Sequence, residues 1–192
     1  MERKKESVWK KLWFSNLFLD ANDSRKIAYV AVMTALMVVV NMFFEFKLAE
    51  TQFSFTLLAS MLAGMLLGPI FGFCACFLGD LVGFFYHSAG FAYLPWIGIS
   101  MGLTAMISGL VINGLPEGKK GFLYVKIAIV CITTFLLCTV AINTTAFWLL
   151  YAKVDYGTYL ISRLFAQGQI WNSVFNYALS FLVIPIVQKI KF

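Results

Sequence analysis

The sequence predicts an all-α integral membrane protein: a bundle of six transmembrane helices with both termini in the cytoplasm. Three observations carry that expectation. Of the 192 residues, 61% are hydrophobic and only 12% are charged, with a mean hydropathy of +0.84, outside the range of soluble domains. Apolar runs recur at the length of roughly 20 residues that a helix needs to cross a hydrocarbon core of about 30 Å. Lys and Arg gather on alternate connections, as cytoplasmic loops do.

The chain divides into a basic amphipathic N-terminal segment, 1–25, expected to be cytoplasmic or interfacial, and a six-helix membrane domain, 26–192. The opening "MERKKESVWKKLWF" is not followed by a short apolar core and a small-residue cleavage site, so it does not read as a removable signal peptide. Within "VWKKLWFSNLFL", Trp9, Leu12, Trp13 and Leu17 stand at helical spacing beside Lys10 and Lys11. That pattern suits a helix lying in the membrane interface; an extension of the first span fits it as well.

Charges and turn residues bound the spans at about 26–44, 54–68, 70–87, 94–114, 122–151 and 158–188. The second and third are separated only by "LGPIFG", where Pro69 lacks a backbone donor and Gly68 permits a tight reversal, so a hairpin is expected. Arg3, Lys4, Lys5, Lys10, Lys11, Arg25 and Lys26 precede the first span, Lys119, Lys120 and Lys126 border the fourth connection, and Lys189 and Lys191 end the chain. Only Lys47, Lys153 and Arg163 fall on the other side. The net charge of +6 is thereby explained without nucleic acid. Small residues recur at intervals that let helices approach closely: Ala28, Ala31 and Ala35; Gly72, Gly79 and Gly83; Gly98, Gly102, Ala105 and Gly109.

Catalysis requires a nucleophile with a base, paired carboxylates or metal ligands, and the inventory here is thin. There is one histidine, His87. Cys74, Cys76, Cys131 and Cys138 lie in apolar runs without metal-ligand spacing and read as small buried residues. "GLPEGKKG" echoes a phosphate-binding loop, but the glycine interval is one residue short and Lys120 stands where Ser or Thr is needed. No enzyme activity, cofactor or metal is expected, and any ATP that drives transport must bind a partner.

Between Thr51 and Pro116 the only charged side chain is Asp80. A carboxylate in lipid needs specific partners and marks a functional position. Other polar and aromatic residues gather on the same, non-cytoplasmic half. His87, Tyr93 and Trp96 surround the third connection with Asp80; Asn143, Trp148 and Tyr151 end the fifth span; Arg163, Gln167, Gln169, Asn172 and Asn176 begin the sixth. Helical spacing puts Arg163, Gln167 and Trp171 along one face, and Ser162, Gln169, Ser173 and Asn176 along another. Interhelical hydrogen bonding with an aromatic belt accounts for single residues; the set as a whole suits a pocket for an aromatic polar solute. The outer loop "FFEFKLAETQFSF", with Glu45, Lys47 and Glu50 between apolar residues, has the composition of a lid or of an ordinary short loop.

The succession "AVMTA", "FSFTLLASMLAGMLLGPIFGF", "GDLVGFFYHSAGFAYLPW", "NTTAFWLLY" and "SRLFAQGQIWNSVFNYAL" resembles the S components of energy-coupling factor (ECF) vitamin transporters, and among them most the folate-specific S component. The resemblance runs from about residue 26 to the C-terminus. It implies six helices in a cell membrane, by family the bacterial plasma membrane. It also implies one high-affinity vitamin site near the outer face, and docking on a membrane-embedded coupling subunit driven by two ATPases. Ala31 and Ala35 map onto the family's docking pattern. Where the family loop after the third helix usually reads Pro-Gly-Phe-Thr, this chain reads "PWIG" from Pro95 to Gly98. Asp80 would accept paired N–H donors from a pterin edge or act as a structural clasp; Arg163 would bind a carboxylate of the glutamate tail or pair with Asp80. Phe91, Tyr93, Trp96 and Trp148 are the candidate stacking rings. Thiamine, riboflavin, biotin or a pyrimidine precursor would use the same scaffold. A membrane scaffold protein, the rival from another class, would have no small-molecule pocket.

Overall fold

The computed structural model describes residues 13–48, 51–86, 93–115 and 120–189. Nearly all of them are helical, since backbone that leaves water must satisfy its N–H and C=O groups within its own segment. In chain order the elements are α1 (Asn16–Asp20), α2 (Asp23–Phe43), β1 (Glu45–Leu48), β2 (Thr51–Ser54), α3 (Thr56–Leu67), α4 (Pro69–Tyr86), α5 (Pro95–Gly114), α6 (Lys120–Thr134), α7 (Thr145–Tyr151), α8 (Tyr156–Ile161) and α9 (Gln169–Lys189). A π-wound segment, Phe135–Thr144, joins α6 to α7, and a second, Ser162–Ala166, extends α8.

Among the described residues, five stretches are long and apolar enough to cross a membrane: Asp23–Phe43, Pro69–Tyr86, Pro95–Gly114, Gly121–Tyr151 and Gln169–Lys189. Three features depart from the expected plan. The expected second span is α3, whose 12 residues rise only about 18 Å, because residues 51–54 are drawn into β2 instead. The fold is therefore not purely α: the outer loop forms an antiparallel hairpin in which Glu45 faces Ser54 and Lys47 faces Gln52. The expected last span, 158–188, is broken at Gly168, whose φ of 74° lies in the left-handed region that glycine tolerates. Arg163 and Gln167 thus precede the break, and the expected continuous face running on to Trp171 does not exist.

Of the N-terminal segment, Asn16–Asp20 form a short helix separate from α2, since Ala21 and Asn22 are both extended; Trp9, Lys10, Lys11 and Leu12 lie outside the described residues. Ser15 caps α1, accepting from the Phe18 N–H at 3.1 Å, and its hydroxyl also donates to the Leu66 carbonyl. Phe18 packs against Phe71 with ring centroids 4.4 Å apart and the rings tilted by 31°. This wedge sits on the α3–α4 turn, where Gly68 has φ 87° and a Cβ would come within 2.8 Å of the Phe14 Cα.

At the same end of the bundle, glycines let three helices touch backbone to backbone. A Cβ on Gly72 would lie 2.8 Å from the Gly64 Cα, and one on Gly109 would lie 2.7 Å from both the Gly64 carbonyl oxygen and the Pro69 nitrogen. Hydrogen bonds reinforce the contact: Ser108 donates to the Met61 carbonyl at 2.8 Å and Asn113 to that of Met65 at 3.0 Å. Lys126, expected to border a solvated loop, is instead buried. Its ammonium closes the C-terminal end of α5 by donating to the carbonyls of Ile112 and Leu115 at 2.9 and 2.7 Å, where the helix dipole favours a cation. Of the cysteines, Cys76, Cys131 and Cys138 are buried as expected, whereas Cys74 faces outward.

Gly109→Leu should lower stability by at least about 3 kcal/mol, since the added side chain meets backbone that cannot move aside. Gly121→Ala, with nothing within 4 Å of its Cβ position, should be neutral. Thermal unfolding in detergent measures both, and equal midpoints for the two variants would refute the close approach.

Candidate functional site

At the opposite end from the glycine contact the helices diverge around two adjoining chambers. The first, about 290 Å³, is lined by Asn41, Ser54, Thr56, Asp80, Gly83, Phe84, Ile97 and Met101. The second, about 150 Å³, shares Ser54, Thr56, Ile97 and Met101 with it and adds Leu57, Ser60, Ser100, Thr104, Cys138, Thr139, Asn143, Gln169 and Asn172. A larger groove of about 900 Å³ runs along the outside of α2 and α4. Its walls are almost wholly apolar, so the chemistry lies in the two smaller spaces.

Asp80 comes from the inward face of α4. Its two carboxylate oxygens accept separately, from Asn41 Nδ2 at 3.2 Å and from the Tyr93 hydroxyl at 3.1 Å. Both partners are neutral, and among the described residues the carboxylate has no ion pair. A carboxylate offers about four acceptor positions, so two remain for a ligand in the first chamber. Gly98 lets this pair sit close against α5: a Cβ there would lie 2.8 Å from the Tyr93 oxygen and 2.9 Å from Asp80 Oδ2. Burial and the adjacent carboxylate push the Tyr93 hydroxyl from its ordinary 10.0 up to about 12, so it stays a donor at physiological pH.

The second chamber is rich in hydroxyls and amides, and among the described residues its lining holds no Lys, Arg, Asp or Glu. Asn143 Nδ2 donates to Ser100 Oγ at 3.1 Å, while Asn143 Oδ1 is buried without a partner. Ser60 Oγ, Trp96 Nε1 and Arg163 Nε share that condition among the described residues. Buried polar atoms are nearly always paired, and exceptions point to a missing partner such as a ligand. Asn143 and Arg163 both sit in π-wound segments, a winding that recurs at functional positions.

The residues singled out from sequence separate into groups. Asp80 and Asn143 line the chambers, and Tyr93 bonds Asp80. Arg163 is buried with its guanidinium carbon 4.1 Å from the centroid of the Phe147 ring, and makes no ion pair with Asp80. Trp148 donates from Nε1 to the Val154 carbonyl at 2.9 Å and packs edge-on to Tyr156, so it closes the α7–α8 turn and lines neither chamber. Gln167 and Trp171 are exposed. His87 and Phe91 lie outside the described residues, and Glu45 and Lys47 are placed in β1 by their backbone. Ala31 and Ala35 face the outer groove.

Sequence reasoning passed over Asn41, Ser54, Thr56, Ser100 and Thr139. Asn41 gave a usable signal, as the lone amide in the first apolar run. The hydroxyls gave none, because Ser and Thr are tolerated anywhere in a membrane helix by bonding a carbonyl one turn back, as Thr104 does to Ser100 at 2.9 Å.

Tyr93→Phe should cost about 1 kcal/mol of stability at neutral pH through loss of one bond to a charged acceptor. Because the folded hydroxyl titrates higher than the free one, that contribution is complete below pH 10.0 and is lost as pH rises towards about 12. Thermal unfolding of the two proteins at pH 7 checks it, and equal stability would mean that Asp80 draws no support from Tyr93.

A family model described as ECF-type riboflavin transporter, S component, matches residues 21–191. Among solved structures, that of FolT bound with folic acid is similar over 83% of this chain and 92% of that one, with a TM-score of 0.66 and 21% identity. At that identity the likeness is one of fold. No curated protein matches. The five apolar helices and the polar chambers are thus set in a known kind of transporter component, and not in an enzyme family. Matched by the family model over nearly its whole length, the chain belongs to the ECF-type riboflavin transporter S component family.

Proposed function

We propose that this chain is the high-affinity folate-binding subunit of an ECF-type, ATP-driven vitamin importer in a bacterial plasma membrane. Asp80 carries the choice of vitamin. A pterin presents adjacent N–H donors on its 2-amino-pyrimidinone edge, which suit a carboxylate that accepts in pairs. The isoalloxazine ring of riboflavin offers one N–H between two carbonyl oxygens, and a carboxylate repels those oxygens. Riboflavin is the second reading, favoured by the description of the matching family model.

In the folate reading the pterin edge meets Asp80 in the larger chamber, Trp96 Nε1 and Asn143 Oδ1 gain partners, and Arg163 takes a carboxylate of the glutamate tail. Tyr93, which bonds Asp80, and Trp96 at the start of α5 are the stacking candidates, with Phe91 and His87 on the connection before them in sequence. The hairpin carrying Glu45 and Lys47 serves as the lid, and with α3 it makes the second of six passes. The one-sided distribution of Lys and Arg supports cytoplasmic termini, with the chambers towards the outside.

Purified protein should release folate on denaturation, identified by mass spectrometry, and should bind added folate more tightly than riboflavin. Asp80→Asn, which keeps shape and loses charge, should weaken folate binding by about 1 to 3 kcal/mol, roughly five- to 150-fold. Tighter binding of riboflavin by the wild type would reverse the assignment, and unchanged folate affinity in the variant would leave Asp80 a structural clasp.

The partners in this reading are a membrane-embedded coupling subunit and two ATPases. Ala31 and Ala35 are both exposed, one turn apart on a helix whose opposite face buries Met33, Met37 and Val40. Small residues there let another helix approach closely. Replacing both with Arg should leave folate binding intact and abolish ATP-driven uptake in proteoliposomes containing the coupling subunit and ATPases. Normal uptake by that variant would remove the docking role, and loss of binding would mean that the strip packs inside.

A further inference from the structure

The junction between β2 and α3 finds its hydrogen bonds in an uncommon place. The cap position of α3 is occupied by Phe55, and no side chain of the segment caps the helix. An uncapped start leaves backbone N–H groups open, and a dry interior makes that expensive. The missing acceptor comes from α9: Asn176 Oδ1 accepts from the Leu58 N–H at 3.2 Å across a separation of 118 residues. Through Nδ2 the same amide donates to the Ser54 carbonyl at 2.6 Å and to that of Asn172 at 2.9 Å. Asn172 Oδ1 in turn accepts from the Ser54 N–H at 3.0 Å. Asn176 is fully buried, so water cannot substitute for any of these bonds.

The residues held this way form a wall of the site. Ser54 and Thr56 line both chambers, and their hydroxyls lie 2.9 Å apart. Asn176 lines neither chamber. We propose that Asn176 is a positioning residue: a helix cap supplied from α9 that fixes the Ser54–Thr56 wall against the ligand without touching it. The inference rests on the reading of the chambers as a vitamin site.

A double-mutant cycle separates positioning from general stability. Asn176→Leu should weaken folate binding about tenfold and Thr56→Ala about fivefold, while the double variant should stay near tenfold, because a displaced wall has no contact left to lose. Multiplication of the two losses overturns the proposal, and so does wild-type affinity in the folded Asn176→Leu protein. If Asn176→Leu does not fold, the cycle is run on Asn176→Ser, which leaves a smaller polar group in the space. Hydrogen exchange in the ligand-free protein tests the cap without any vitamin: the Leu58 amide should exchange at least about tenfold faster in the variant, and an unchanged rate sinks the idea. Wild-type protein that binds neither folate nor riboflavin would defeat the vitamin reading, a failure visible before any variant is compared.

Discussion

The rest of the architecture depends on the backbone contact among α3, α4 and α5 at Gly64, Gly72 and Gly109. Helices in lipid gain nothing from hiding apolar surface from water, so van der Waals contact has to hold them, and it improves as the axes approach. Here the axes meet at a level where a methyl group on any of the three glycines would strike backbone. The turn at Gly68 and the wedge of Phe14 and Phe18 lock the same end. Helices pinned at one end and splayed at the other enclose a space, and the chambers lie in that splay, between Ser54 and Thr56 on α3's approach, Asp80 and Gly83 on α4, and Ile97 and Met101 on α5.

Within the splay, polar groups are arranged so that the protein alone does not satisfy all of them. Asp80 is held by two neutral donors, which orient its carboxylate without cancelling its charge as Arg163 would have done. A neutralised pair would have little attraction left for a ligand. Asn143 is fixed through one end of its amide and open at the other. Such half-satisfied groups lower the stability of the empty protein and favour whatever completes them, which suits a subunit whose task is capture.

The legibility of this fold from sequence followed how local each signal was. The spans starting at Asp23, Pro69, Pro95 and Gly121 are written in composition and punctuation, and the reversal at Gly68–Pro69 in two residues. Asp80 announced itself by isolation in an apolar stretch. What sequence did not disclose depends on distant partners or on a single backbone angle. Gly168 looks like any membrane glycine until its φ breaks the last helix and ends the Arg163–Gln167–Trp171 stripe. That Trp148 bonds the Val154 carbonyl and lines neither chamber is likewise set by the fold around it. The placing of Ser54 and Thr56 depends on Asn172 and Asn176, more than a hundred residues away, which bond the backbone of Ser54 and of Leu58.

Two helices are asked to serve two surfaces at once. α2 presents Asn41 to Asp80 on its inner side and Ala31, Ala35, Val38 and Val39 to the outer groove; α4 presents Asp80 and Gly83 inward and Leu78 and Val82 outward. The inner groups lie towards the chamber end and the alanines closer to the pinched end, and the groove and the chambers draw on the same helices without sharing a lining residue. What joins the two surfaces is the packing of α2 against α4. That contact is tightest at Gly79, where a Cβ would fall 2.5 Å from the Met37 side chain, and it loosens towards Gly83, where the nearest Asn41 atom would be 3.4 Å away. The two helices are thus held closely on one side of Asp80 and more loosely on the other, and the loose side is the one that carries the Asn41–Asp80 bond.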